Sequence, residues 1–241
     1  MAADLYSQDP RERLAPARLL APWTPDERFS RWPLHWFGTA NAWLVFIGPS
    51  PGDSPGASPV NWDRDRLPTL GRPNEQFASY RDSSGFWSRV RDWTAHAFAD
   101  AGVFTEARDA WSVAMLGNIA SSQAGDAATI LDAELRRGLS STRKALELVR
   151  PRLVVPLHKR VTELLLPLLS EIGYAVVTRG VTEVPAKNQR FALYRPNWFE
   201  LQRDKDSLLV AEAPQHPSRR NFYDPVEMDR YLAAIIQRGL P

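Results

Sequence analysis

The chain has 241 residues, with 30 Lys or Arg against 28 Asp or Glu, a formal charge of +2. Its 44% apolar and 24% charged residues are the mix of an ordinary globular domain, long enough for one sizeable core. The absence of cysteine excludes disulfides, thiolate nucleophiles and Cys-ligated zinc or iron–sulfur clusters together, and the near-balanced charge permits a nucleic-acid partner without indicating one.

Residues 1–31, charged and interrupted by Pro10, Pro16, Pro22 and Pro25, are expected to form an irregular arm ahead of a single α/β domain over 32–241. The arm lacks the apolar stretch of a secretory signal, and no run of 18 apolar residues occurs, so a cytoplasmic protein without a membrane partner is expected. The apolar run 42–47 predicts a buried strand, stopped by the rigid turn Gly48-Pro49-Ser50-Pro51-Gly52. Residues 53–82 read as a long loop, and loops of that length are often functional. A helix is predicted over 86–99, with Phe86, Val90, Trp93 and Ala97 on one stripe. Further strands are predicted at 111–116, 152–157, 174–178 and 208–211, with an extra, edge-type strand at 191–194. Helices are predicted over 129–149, 159–172 (with Gly173 as its cap) and 226–237, after Asp224-Pro225. This alternation predicts a three-layer α-β-α fold around a mostly parallel sheet of four or five strands.

In parallel sheets, ligands gather at the carboxyl ends of the strands. Three such ends carry polar residues that can converge: Ser50, with Asp53 just beyond it, Asn118 and His216. A histidine fixed by a following proline, His216-Pro217, suits hydrogen bonding to a carbonyl or to developing negative charge. An asparagine amide offers both donor and acceptor, which suits the edge of a nucleobase. Each of these residues has an ordinary structural alternative as a turn or backbone-satisfying group. His158 follows a strand too, but starts a helix beside Lys159 and Arg160; His35 and His96 fit structural or exposed positions. Arg219 and Arg220 follow His216 directly, and Arg64, Arg66, Arg72 and Arg81 punctuate the long loop. Facing one side, they would hold phosphates. Trp62, Phe77, Tyr80, Phe86 and Trp87 are able to stack on a base or to fill the core beneath the loop. No HExxH, phosphate-loop or dinucleotide-binding spacing occurs, so no metal or cofactor is expected.

With these residues in view, the sequence resembles the uracil-DNA glycosylase superfamily, nearest its mismatch-specific and single-strand-selective branches. Gly48-Pro49-Ser50-Pro51-Gly52 is similar to the family's first motif, which follows its first core strand. His216-Pro217-Ser218-Arg219-Arg220-Asn221 is similar to the second, which follows its last. Gly85-Phe86-Trp87, Asn118 and residues 152–157 fall in the corresponding order between them, so the resemblance spans about residues 40–235. It implies DNA, single- or double-stranded, as the partner of a monomeric enzyme that hydrolyses the N-glycosidic bond of a flipped uracil or related deaminated base. It gives His216 the leaving base, Asn118 the base edge, Gly48 and Pro49 the pocket wall and Phe77 a stacking role. Ser218, Arg219, Arg220 and Asn221 fall on the DNA-entering loop. The departure is Ser50, where the family places Asp, Glu or Asn to handle the attacking water; Asp53 is the nearby carboxylate. A serine hydroxyl positions water but does not act unaided as a base at neutral pH. A non-catalytic nucleobase- or nucleic-acid-binding protein on the same fold is the alternative.

Overall fold

The computed structural model describes residues 36–38, 42–49, 87–100, 114–120, 130–185, 193–213 and 225–239. They form an α/β structure. Its strands are β1 (Trp36–Gly38), β2 (Leu44–Gly48), β3 (Ala114–Asn118), β4 (Leu153–Pro156), β5 (Ala175–Val181), β6 (Val184–Pro185), β7 (Leu193–Tyr194), β8 (Asn197–Arg203) and β9 (Asp206–Ala211). The helices are α1 (Trp87–Asp100), α2 (Asp132–Val149), α3 (Lys159–Glu171) and α4 (Pro225–Gly239).

Seven strands make one sheet in the order β1-β3-β2-β4-β9-β8-β5; β6 and β7 pair separately. The β3–β2, β2–β4 and β4–β9 pairs are parallel, while β1–β3, β9–β8 and β8–β5 are antiparallel. Following these senses across the sheet, β3, β2, β4, β9 and β5 run one way and β1 and β8 the other.

The alternation of the central strand sorts the two cores. Leu44 and Phe46 of β2 pack with Trp93 and Phe98 of α1 and with Met228, Tyr231 and Ile235 of α4. Val45 and Ile47 point the other way, among Leu135, Leu146 and Val149 of α2 and Val161, Leu165 and Leu169 of α3. Successive side chains of a strand face opposite layers, so a strand covered on both faces must be apolar throughout. Each fully buried Leu, Ile or Phe contributes about 1.5–3 kcal/mol relative to exposure. The helices close their ends locally: Glu134 Oε2 accepts from the Leu131 N–H (3.3 Å) at the start of α2, and Gly173, at φ +95, reverses the chain after α3.

The sequence-based expectation of four or five strands is corrected to seven in the main sheet. The five expected core strands are the five that share a direction. The two missed strands are those that run against them. β1 is only three residues long, and β8, which follows Pro196, is half-buried over its first four residues with only Leu201 fully buried, joining β9 through the tight turn at Asp204 (φ 52). The strand expected at 174–178 runs on to Val181 and lies at the sheet's outer edge, with Val176, Val177 and Val181 each about half exposed. The 191–194 prediction survives as the short β7, paired with β6; residues 191–192 and the N-terminal arm lie outside the described residues.

Candidate functional site at the carboxyl ends of the strands

The chain leaves β2 toward β3 on one side and leaves β4 toward the other side of the sheet. A crevice at the carboxyl ends of two adjacent parallel strands whose connections diverge in this way is the favoured ligand position of an open α/β sheet. Here those ends are Gly48-Pro49 on β2 and Pro156-Leu157-His158 on β4, flanked by Asn118 on β3 and by Ala211-Glu212-Ala213 on β9.

Backbone hydrogen bonds fix all four exits. The N–H of Ile119 donates to Gly48 O (3.0 Å) and that of Ala120 to Pro49 O (2.8 Å). The N–H of Leu157 donates to Ile47 O (2.8 Å) and that of Ala213 to Pro156 O (2.9 Å). The rim is therefore continuous from β3 to β9, with no unpaired strand end between them.

Asn118 stands in register with Gly48 and is only 9% exposed. No side chain among the described residues bonds its amide. It lies directly over Gly48, where a β-carbon would sit 2.5 Å from Asn118 Oδ1. Glycine is thus what leaves room for the amide at the strand end. A second glycine secures the exit from behind. Gly138 of α2 packs on the backbone after Asn118, and a β-carbon there would fall 1.6 Å from Ile119 O. Thr142 Oγ1 donates back to Gly138 O (3.1 Å), closing the turn of α2 that makes this approach.

At the β9 exit, Glu212 is 6% exposed. Its Oε2 accepts from Asn197 N (2.9 Å) and Asn197 Nδ2 (2.8 Å). Its carbonyl accepts from Tyr231 Oη of α4 (2.8 Å), and its N–H donates to Asn197 O (2.9 Å). The residue ties β8, β9 and α4 together just before the chain turns into the segment that carries His216.

Of the residues predicted from sequence, the structure brings together Gly48, Pro49 and Asn118, all buried at this rim. Ser50, Asp53, Phe77, His216, Ser218, Arg219, Arg220 and Asn221 lie outside the described residues. So do Trp62, Tyr80, Phe86 and the loop arginines. The predicted helical position of His158 holds: it is the N-cap of α3. His96, predicted to be structural or exposed, lies on α1 and its Nδ1 pairs with Asp229 Oδ2 of α4 at 3.0 Å. Burial holds the Asp229 carboxyl above the usual carboxylate range, opposed by its bond to His96. Sequence reasoning missed Gly138 and Glu212. A glycine inside a strongly amphipathic helix and an acid among the apolar residues of a strand end were the available signals.

Among the described residues, no group of three His, Asp or Glu side chains is arranged to hold a metal ion, and no helix is long and apolar enough to cross a membrane. No protein-family model and no curated protein matches the chain.

Proposed function

We propose that the chain is a DNA glycosylase of the uracil-DNA glycosylase kind, in fold and in chemistry. It hydrolyses the bond between deoxyribose C1′ and the ring nitrogen of uracil or a related deaminated base. The observation that carries this reading is the Asn118 amide, buried at a strand end over a glycine that leaves it room. An amide held in a nearly buried position with no partner among the described residues keeps its donor and acceptor open to a ligand or to solvent. A flipped pyrimidine edge, with its carbonyl and N–H, is a matching ligand. The two strands that lead into the Gly48–Gly52 and His216–Asn221 motifs leave the sheet at this same end, two strand positions apart, about 10 Å.

In this reading the flipped base docks with its edge on Asn118 and its face on an aromatic ring, Phe77 being the sequence candidate. As the C1′–N bond breaks, its electron pair goes to the base. His216 donates a hydrogen bond to the base oxygen on which that charge collects. A water held by Ser50 adds to C1′ and gives its proton to the nearby Asp53 carboxylate, from which solvent returns it to the base anion, leaving an abasic sugar and the neutral free base. Arg219 and Arg220 hold phosphates or the gap left by the base.

End-labelled oligonucleotides carrying one uracil, single-stranded or opposite guanine, test this with substrate in excess. Alkali-labile sites should accumulate, and Asn118→Ala should slow their formation about 10-fold or more, the scale of a base contact worth 1–3 kcal/mol. Ser50, standing where the family keeps a more capable residue, favours a second reading: binding without catalysis. Salt-dependent oligonucleotide affinity from folded protein, with no abasic product, is its signature.

A further inference from the structure

Helices α2 and α3 cover the same face of the sheet. Each returns the chain between strands that run the same way, so the two helices point in the same direction. Arg160 ties their starts together: its guanidinium donates to the Ile130 carbonyl (2.9 Å) and to Asp132 Oδ1 (2.6 Å). Beyond that tie an open trough of about 440 Å³ runs between them. On the α2 side it is lined by Arg136, Leu139, Ser140 and Arg143. On the α3 side it is lined by Leu164, Pro167, Leu168 and Glu171. Each set is spaced i, i+3, i+4, i+7, a single stripe along its helix, so the trough is about two turns, or 10 Å, long.

Its floor is apolar. Leu139 and Leu164 are half-buried and pack against the core beneath α2 and α3, and Leu168 is buried. Pro167 stands inside α3 yet is exposed. A proline in a helix interior removes a backbone hydrogen bond and costs about 3 kcal/mol. Here the core gains nothing from it, while its ring gives the trough a rigid apolar wall. The α2 side is cationic. Arg136, Arg137 and Lys144 are exposed, and no acid pairs with them among the described residues. Arg143 bonds Glu147 (3.3 Å), an exposed pair one helical turn apart. Such pairs contribute about 0.3–0.5 kcal/mol and exchange readily for another carboxylate.

We propose that this trough is the docking site of an acidic amphipathic helix of a partner protein. The partner's apolar residues, one helical turn apart, seat on the leucines and Pro167. Its carboxylates lie along the α2 side against Arg136 and Arg143. Glu171 repels acids on the α3 side, and so fixes which edge of the partner carries them. Charge complementarity selects an acidic partner, and the apolar floor selects a protein over a nucleic acid, whose phosphates would use the arginines alone. The trough is separate from the crevice at the strand ends, and the proposal stands independently of base release.

The test is selection of displayed random peptides of about 16 residues, long enough to form a helix, on the full chain. Affinities of the selected peptides are then measured for wild type and for Arg136→Glu/Arg143→Glu. The selected family should carry leucine-type residues at helical spacing with Asp or Glu on one flank. The double variant should melt within a few degrees of wild type, since both positions are exposed. It should bind these peptides about 10-fold or more weaker, and raised salt should weaken the wild-type complex. Changing the leucines of a selected peptide to serine should weaken it as much. No enriched family, equal binding by the folded variant, or equal binding of the serine peptides would each overturn the proposal. If the double variant fails to fold, Arg136→Gln/Arg143→Gln gives the same comparison. Binding of a single-stranded oligonucleotide that is lost in the variant, with no peptide family, assigns the face to phosphates and overturns it. Self-association of the wild type that is lost in the variant puts a second copy there and overturns it too.

Discussion

Two polar side chains near opposite ends of the sheet, Arg203 and Asn118, are treated in opposite ways. At the amino-terminal end, Arg203 bonds Asp206 (3.2 Å) and the Ile172 carbonyl (3.2 Å) at the close of α3, and lies over the ring of Tyr174 at 4.6 Å. Arg152 bonds the Ser207 carbonyl (2.8 Å) and its hydroxyl. Burial pushes the Tyr174 hydroxyl above its usual range and the Arg152 guanidinium below its own, in each case against nearby opposite effects. Arg203 is spent on Asp206 and on a carbonyl at the C-terminal end of α3, where a cation is favoured, and Arg152 on Ser207, with its Nε buried and without a partner among the described residues. At the carboxyl end the backbone is pinned as firmly, but the Asn118 amide is left without a partner among the described residues. Arg203 is paired within the fold, whereas the Asn118 amide is held in place by what surrounds it and left open, as the proposed base-reading role requires.

If that contrast is right, the largest effect should come from removing the support behind Asn118. Gly138→Ala gains helix propensity of about 1 kcal/mol. It also drives a methyl into the Ile119 carbonyl. Net destabilisation of about 3 kcal/mol is expected in urea unfolding, at the upper end of overpacking costs. Gly48→Ala should cost less stability, about 1–3 kcal/mol, because its clash is with a side-chain oxygen that is able to rotate. Its effect on base release should nevertheless match that of Asn118→Ala, since both lose the same amide. A Gly48→Ala protein with undiminished release breaks the contrast.

At the other end the dissociation should reverse. Arg203→Met is expected to lower stability by about 1–2 kcal/mol, the scale of charge-assisted hydrogen bonds in a partly buried site, with base release unchanged. The smallest effect should be at Asp229, whose Oδ1 is buried without a partner among the described residues. Its folded pKa is raised, so its contribution to stability is present below the ordinary carboxylate range and is lost as the pH rises through the folded value. Asp229→Asn should therefore flatten the fall in melting temperature above about pH 4, and should melt at or slightly above wild type at pH 7. A steeper fall in the variant would contradict the burial argument.

Much of this was legible in the sequence because the central strands are covered on both faces. Ala42–Ile47 and Leu153–Leu157 carry no polar residue, and that condition is written directly into composition. Asn118 was legible too, as the polar residue that ends such a run. What was not legible depended on contacts distant in sequence. The order of the strands places β9, not β5, beside β4, and no local pattern encodes that choice. β8 carried no clear strand pattern because, of its seven residues, only Leu201 is fully buried, and Trp198 packs part-buried against the core. That ring lies against Gly180, where a β-carbon would come within 2.2 Å of it, and beneath the guanidinium of Arg238 at 3.6 Å. The role of Gly138 was not legible because the carbonyl it accommodates is 19 residues away. The role of Glu212 required knowing that Asn197 would be its neighbour.

The bond from Tyr231 to the Glu212 carbonyl has a further consequence. It ties the second turn of α4 to the end of β9, so the eleven residues 214–224 between them begin and end at anchored points. The entropy lost in closing such a segment grows only with the logarithm of its length, about 0.6 kcal/mol for each doubling. A change in the length of chain between these two anchors is therefore expected to leave the stability of the sheet and of α4 nearly unchanged, because the tie from Tyr231 holds both ends in place.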